Sequence, residues 1–135
     1  MKKLSLVLAA SVVAAVISIV PVAHTQTLKA SASGHQVTLT WAASADSTSS
    51  KPGTVSVYRA NEACPATVSA TSSGFTAITT AAAASGPYTD STVTAGTWCY
   101  FVTATIGSAT SPASNAVQAV LLPLAPSSLA IGSSN

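Results

Sequence analysis

The chain has 135 residues, room for one domain and hardly two. Charged residues make up only 6% of it, against about 25% in a typical soluble domain, and Ala, Ser, Thr and Val take their place, which excludes a charge-driven disordered chain. The formal charge of +2 comes from Lys2 and Lys3, while Lys29, Lys51 and Arg59 balance Asp46, Glu62 and Asp90, so no basic patch for nucleic acid and no polybasic membrane stripe is left.

Residues 1–23 carry the parts of a secretory signal. Lys2 and Lys3 form a positive start, residues 4–20 are apolar except for Ser5, Ser11 and Ser18, and Pro21 ends the run. That run is longer than a usual signal core and close to the lower limit for a membrane span. Two readings are open: a signal peptide cut after Ala23, or an uncleaved N-terminal anchor touching the membrane through residues 4–20 alone. Ala30-Ser31-Ala32 matches the small-x-small cleavage pattern better but lies far from the apolar run. Either reading sends the rest of the chain out of the cytoplasm, to a secreted, periplasmic or cell-surface location.

Residues 24–33 are small and polar, and read as a tether leading into a weak edge strand. His35 to Trp41 alternates strictly, with Val37, Leu39 and Trp41 on one face, as a half-buried strand does. Ser44 to Gly53 is a Ser-rich loop closed by Pro52-Gly53, and Thr54 to Arg59 alternates again. Phe75 to Ile78 is a third short run. Ala81 to Ala84 is too short to nucleate a helix and meets Gly86-Pro87 at once, so it reads as part of a loop ending at Pro87. Trp98 to Ile106 is the strongest strand and is apolar on both faces near its middle, with Trp98, Tyr100 and Val102 expected toward the core. Gly107 to Ser114 reads as a loop, Ala116 to Leu122 as a last strand, and residues 123–135 as a flexible tail. Turn signals about every ten residues and no amphipathic helix predict an all-β, two-sheet sandwich of about seven strands over residues 34–122.

Several of these segments resemble a fibronectin type III domain: Val37-x-Leu39-x-Trp41, Val57-Tyr58-Arg59, Tyr88-x-Asp90-x-x-Val93-x-x-Gly96, Val102-Thr103-Ala104 and Ser114-Asn115-Ala116-Val117. In antibody-like sandwiches the core Trp lies on the third strand, between two Cys. Here Trp41 ends the first strong strand and precedes both Cys, as the fibronectin family places it. Two departures are visible: Trp98 stands where the family usually has the Tyr of a corner before strand six, and the two Cys lie outside the general family pattern. The resemblance implies an immunoglobulin-like fold, no catalytic residues, and roles in adhesion, spacing or partner binding.

Cys64 and Cys99, in an exported chain, are expected to form a disulfide. Cys99 points away from the face of Trp98, Tyr100 and Val102, and in the family its strand pairs with the one ending at Arg59. A bridge there clamps the outer face of that sheet, and on the chain-entropy model closing the loop stabilises by about 4 kcal/mol. A redox pair or metal site has no CxxC spacing and no neighbouring His or acid to support it.

The residues available for chemistry are few. His24 falls in the signal or tether, and His35 beside Gly34 reads as an exposed turn residue. Asp90 reads as the cap of its own turn, and Arg59 and Lys51 read as solvated surface charges. Tyr58, Phe75, Tyr100 and Phe101 offer a sugar-stacking platform on one reading and sheet packing on the other. The expectation is a binding, adhesion or spacer module without catalytic, cofactor or metal sites. Its ligand is a protein or carbohydrate, contacted through the loops 44–53, 81–87 and 107–114. The alternatives are a structural subunit of a cell surface or virion that self-associates through strand edges, and a small carbohydrate-binding protein.

Overall fold

The computed structural model describes residues 27–125. The expected signal or anchor over 1–23, with His24, and the tail beyond Ala125 lie outside the described residues. Eight strands follow one another: β1 (Lys29–Ser33), β2 (Gln36–Thr40), β3 (Thr54–Ala60), β4 (Thr76–Ala83), β5 (Tyr88–Asp90), β6 (Gly96–Ile106), β7 (Ala109–Thr110) and β8 (Val117–Leu121), with no helix among the described residues. They form a three-stranded sheet, β1-β2-β5, and a larger one in which β4, β3 and β6 run side by side and both β7 and β8 pair with β6. Every pairing is antiparallel. The all-β, two-sheet architecture expected from the turn spacing is the one observed.

The core follows from strand alternation. Val37, Leu39 and Trp41 from the smaller sheet meet Val55, Val57, Trp98, Tyr100, Val102, Ala104, Ala119 and Leu121 from the larger, with Leu28 and Val93 closing the ends. Complete burial of one such aliphatic or aromatic side chain stabilises by about 1.5–3 kcal/mol. β6 is buried on both faces at its centre. Its outward residues include Cys99 and Phe101. Phe101 stacks on Tyr58 with ring centroids 4.7 Å apart and meets Phe75 at 4.9 Å. A second, smaller apolar cluster therefore covers the outer face of the larger sheet.

Both hairpins with two-residue turns place Gly first. Gly34 (φ 56°) joins β1 to β2 and Gly107 (φ 62°) joins β6 to β7, which is the arrangement of a type II′ turn. Between β7 and β8 the chain leaves regular pairing but not β6. Ser111 and Ser114 each donate a backbone N–H to β6, to the carbonyls of Ala104 and Val102 at 2.8 Å. Their hydroxyls accept from the N–H groups of the same two residues at 3.0 Å. Two Ser side chains thus stand in for strand carbonyls across Pro112. Asn115 does similar work between the sheets: its amide accepts from the N–H of Leu28 at 2.7 Å and donates to the Leu28 carbonyl at 3.0 Å.

Three boundaries differ from the sequence reading. The stretch read as a tether over 24–33 holds β1, because residues 29–33 pair along the whole of β2 and Leu28 is 1% exposed. The loop expected from Ala81 belongs to β4 as far as Ala83, since Thr54 and Val55 of β3 pair with Ala83 and Ala82; tertiary pairing outweighs the weak strand preference of Ala. The loop expected over 107–114 contains β7, held by Thr105 and Ile106.

Candidate functional site

The loops 44–53 and 81–87 and the first residues of 107–114 come together at one end of the sandwich, while residues 111–114 run back along β6. Antiparallel register puts the end of β2, the start of β3, the end of β4, the start of β5 and the end of β6 on the same side: Leu39 pairs with Tyr88, and Thr54 pairs with both Ala83 and Thr105. The contacts between the loops are close. The Gly86 N–H donates to the Trp41 carbonyl at 3.1 Å, and a β-carbon at Gly86 would lie 3.0 Å from the Trp41 ring. One at Gly53 would lie 3.0 Å from Ile106, and one at Gly107 would lie 3.6 Å from Lys51.

The loop between β2 and β3 is tied by its own hydroxyls. The Ser47 hydroxyl accepts from the Gly53 N–H at 2.9 Å, and the Thr48 hydroxyl accepts from the Lys51 N–H at 3.1 Å. The backbones of Thr48 and Lys51 also exchange hydrogen bonds in both directions, at 3.2 and 3.1 Å. Side-chain oxygens of Ser and Thr offering the backbone local partners are what hold such a loop in shape. The Ser and Thr residues of this Ser-rich loop therefore make internal bonds. Beneath it Trp41 is 6% exposed, with its indole nitrogen buried and without a hydrogen-bond partner.

The opposite end holds a buried polar cluster. Arg59 is not a solvated surface charge. Its guanidinium donates to Asp90 at 2.7 Å and to the Thr92 hydroxyl at 2.7 Å, and lies 4.8 Å above the centre of the Trp98 ring. Asp90 does cap its own turn, accepting from the Thr92 N–H at 3.0 Å and the Thr92 hydroxyl at 2.7 Å, and it also accepts from the Tyr100 hydroxyl at 3.0 Å. Four donors fill the acceptor positions of one carboxylate. Burial pushes the Asp90 carboxyl up, but the bonds from Thr92, Arg59 and Tyr100 outweigh it and hold the group below its ordinary value. Burial, and then the Asp90 charge, drive the Tyr100 phenol well above the usual range. The cluster ties β3, β5 and β6 together across the two sheets.

Trp98 completes this end. Its indole N–H donates to the Thr94 carbonyl at 2.9 Å. The bond ties the start of β6 back to the turn before it.

Cys64 and Cys99 form a disulfide, with Cα atoms 5.0 Å apart. The bridge pins the loop after β3 to the outer face of β6, and the Cys64 N–H donates to the side chain of Gln118 on β8 at 3.1 Å. A disulfide of this kind is at home in an oxidising compartment.

The four aromatic residues considered as a sugar platform are divided. Tyr100 lies in the inter-sheet core and Phe101 is fully buried, while Tyr58 gives one ring face to Phe101. His35 occupies the β1–β2 turn, half-buried where the sequence suggested exposure, with Nε2 enclosed and unpartnered. Among the described residues no three His, Cys, Asp or Glu side chains gather as a metal site would require.

Sequence reasoning missed the Arg59–Asp90 pair, although the signal was present. Val55, Val57 and Arg59 share one strand face, and a charge on the core side of a strand needs a buried partner. Compared with protein-family models, curated proteins and solved structures, the chain finds no match.

Proposed function

We propose that the chain is an exported, non-catalytic binding or spacer module of the fibronectin type III kind, which presents its three-loop end to a protein or carbohydrate partner. The observation that carries this reading is the convergence of residues 41–53, residues 84–87 and the 107–108 turn on one end of a rigid frame. Binding residues concentrate on loops that a scaffold positions. The disulfide and the inter-sheet ion pair supply the rigidity of that scaffold at its other end and on its outer face.

The topology supports the family reading. In constant-type antibody sandwiches the fourth strand joins the first, second and fifth, whereas β4 pairs with β3 here. The pairing of β3 with β6 is the one the resemblance implies. The state of Asp90 supports a non-catalytic role, because a carboxylate whose acceptor positions are all filled by the protein has none to offer a substrate. The disulfide supports export.

The test is to display the purified exported protein on glycan and surface-protein arrays beside variants altered at exposed loop turns, Ser49→Glu and Ser108→Glu, with Thr71→Glu at the far end as control. Signals are expected to fall for the first two and persist for the third, while hydrolase and redox screens stay silent. A turnover signal that survives purification and disappears on His35→Ala or Asp90→Ala would overturn the reading.

A further inference from the structure

The chain enters the sandwich at its loop end. Lys29, the first residue of β1, pairs with Thr40, the last of β2. The 41–53 segment starts at the next residue, Trp41, whose carbonyl accepts from the Gly86 N–H. The entry point is fixed. Leu28 is buried, and the Asn115 side chain holds both its N–H, at 2.7 Å, and its carbonyl, at 3.0 Å. Any slack between the sandwich and the apolar run 4–20 is therefore confined to residues 21–27.

That length sets a distance. Residues 21–27 span at most about 25 Å, and a globular domain of about 100 residues, with a radius of gyration of about 13 Å, is wider than that. With 4–20 held in a membrane, the loop end faces the bilayer across a gap that a second domain cannot enter. The loop between β3 and β4, at the opposite end, points away from it. β1 also decides between the two cleavage positions in the sequence. A cut after Ala32 removes Leu28 from the core and all of β1 except Ser33. Ala23 is the first small residue after the apolar run, and Ala30 is the next.

We infer that the Ala23–His24 bond is a processing site, and that its cleavage opens the loop end to macromolecular partners. A peptidase of the signal type adds water across the bond, leaving a carboxylate on Ala23 and an amine on His24. Leu28, its clamp and the whole of β1 stay with the sandwich. The anchored and the released chain thus carry the same fold, and only the released one offers residues 41–53, 84–87 and 107–108 to a second domain. The position of the cut stands alone. Its consequence for binding rests on the loop-end reading of the function.

N-terminal sequencing of the full chain after export tests the cut, and an access probe tests its consequence. The wild type is expected to begin at His24, and Ala23→Phe to stay uncut and membrane-held. Ser49→Cys in the loop end and Thr71→Cys at the far end, both at exposed positions, are biotinylated with a small maleimide and offered streptavidin, a globular probe. In the released chain both capture it. In the Ala23→Phe chain Thr71→Cys still does, while Ser49→Cys captures at least tenfold less. About 30 Gly and Ser residues inserted after Thr25 restore capture at Ser49→Cys, since such a linker adds about 30 Å of average reach. A wild type that retains residues 1–20 or begins at Ser33, normal processing of Ala23→Phe, equal capture at both positions in the uncut chain, or no recovery with the longer tether each overturns the inference. Silent glycan and protein arrays beside unequal capture remove the binding reading and leave the processing site and the orientation established.

Discussion

Asp90→Asn tests the buried cluster most directly, because it changes charge and hydrogen bonding with little change in shape. Four donors converge on the carboxylate: the Arg59 guanidinium, the Thr92 N–H and hydroxyl, and the Tyr100 hydroxyl. An amide keeps one oxygen and presents an NH₂ where donors already point, so at least one bond is replaced by a donor–donor clash. Arg59 also loses its counter-charge. Breaking a buried pair by removing one partner costs about 3–5 kcal/mol. The Arg59 side chain keeps 22% exposure, so water recovers part of this, and about 2–4 kcal/mol is the expected loss. For a domain of ordinary stability, about 5–15 kcal/mol, that lowers the urea midpoint by roughly 1–2 M. The pH dependence separates charge from packing. Asp90 titrates below its ordinary value when folded, so its contribution is present above the unfolded pKa of about 3.9 and is lost as pH falls through the lower folded value. The gap between wild type and Asp90→Asn, measured by urea unfolding from pH 7 to pH 2, is expected to shrink in that acid window. A gap of the same size at both ends would show that packing, not the ionised carboxylate, carries the effect, and a variant as stable as wild type would refute the cluster's role altogether.

Two further outcomes are expected. Non-reduced peptide mapping is expected to link Cys64 to Cys99, and Cys99→Ala to lower stability by about 2–5 kcal/mol, as loss of a native bridge from a small domain typically does; two free thiols in protein purified under oxidising conditions would contradict this. Gly86→Ala drives a methyl into the Trp41 ring and its backbone nitrogen, at 3.0 and 3.1 Å. It is expected to cost about 1–3 kcal/mol, as overpacking does, with a shift in Trp fluorescence, whereas Trp41→Ala empties the site and costs about 3–5 kcal/mol. If Gly86→Ala left both the urea midpoint and the emission spectrum unchanged, the loop would not be seated on Trp41 as described.

Alternation and punctuation, both local properties, made much of this protein readable before any coordinates. The period of two in residues 37–41, 54–59 and 98–106 assigned Val37, Leu39, Trp41, Trp98, Tyr100 and Val102 to one side of their strands, and all six lie in the inter-sheet core. The outward turn of Cys99 follows from the same parity. The sequence reads Gly34 as part of a turn and Gly107 as the start of a loop; the structure makes each the first residue of a hairpin turn at positive φ. Pairing decided what local preference left open. Ala81 to Ala83 have little tendency of their own, and became strand because β3 lay beside them. Arg59 and Asp90 are 31 positions apart, so their partnership exists only once the two sheets close, burying Asp90 and part of Arg59. The segments 41–53, 84–87 and 107–108 became one surface through antiparallel register and the contacts between them, and Ser and Thr hydroxyls became internal ties because folding brought backbone N–H groups within reach. What local chemistry determines is which way a side chain points; which side chain it meets is a long-range property that only the closed sandwich settles.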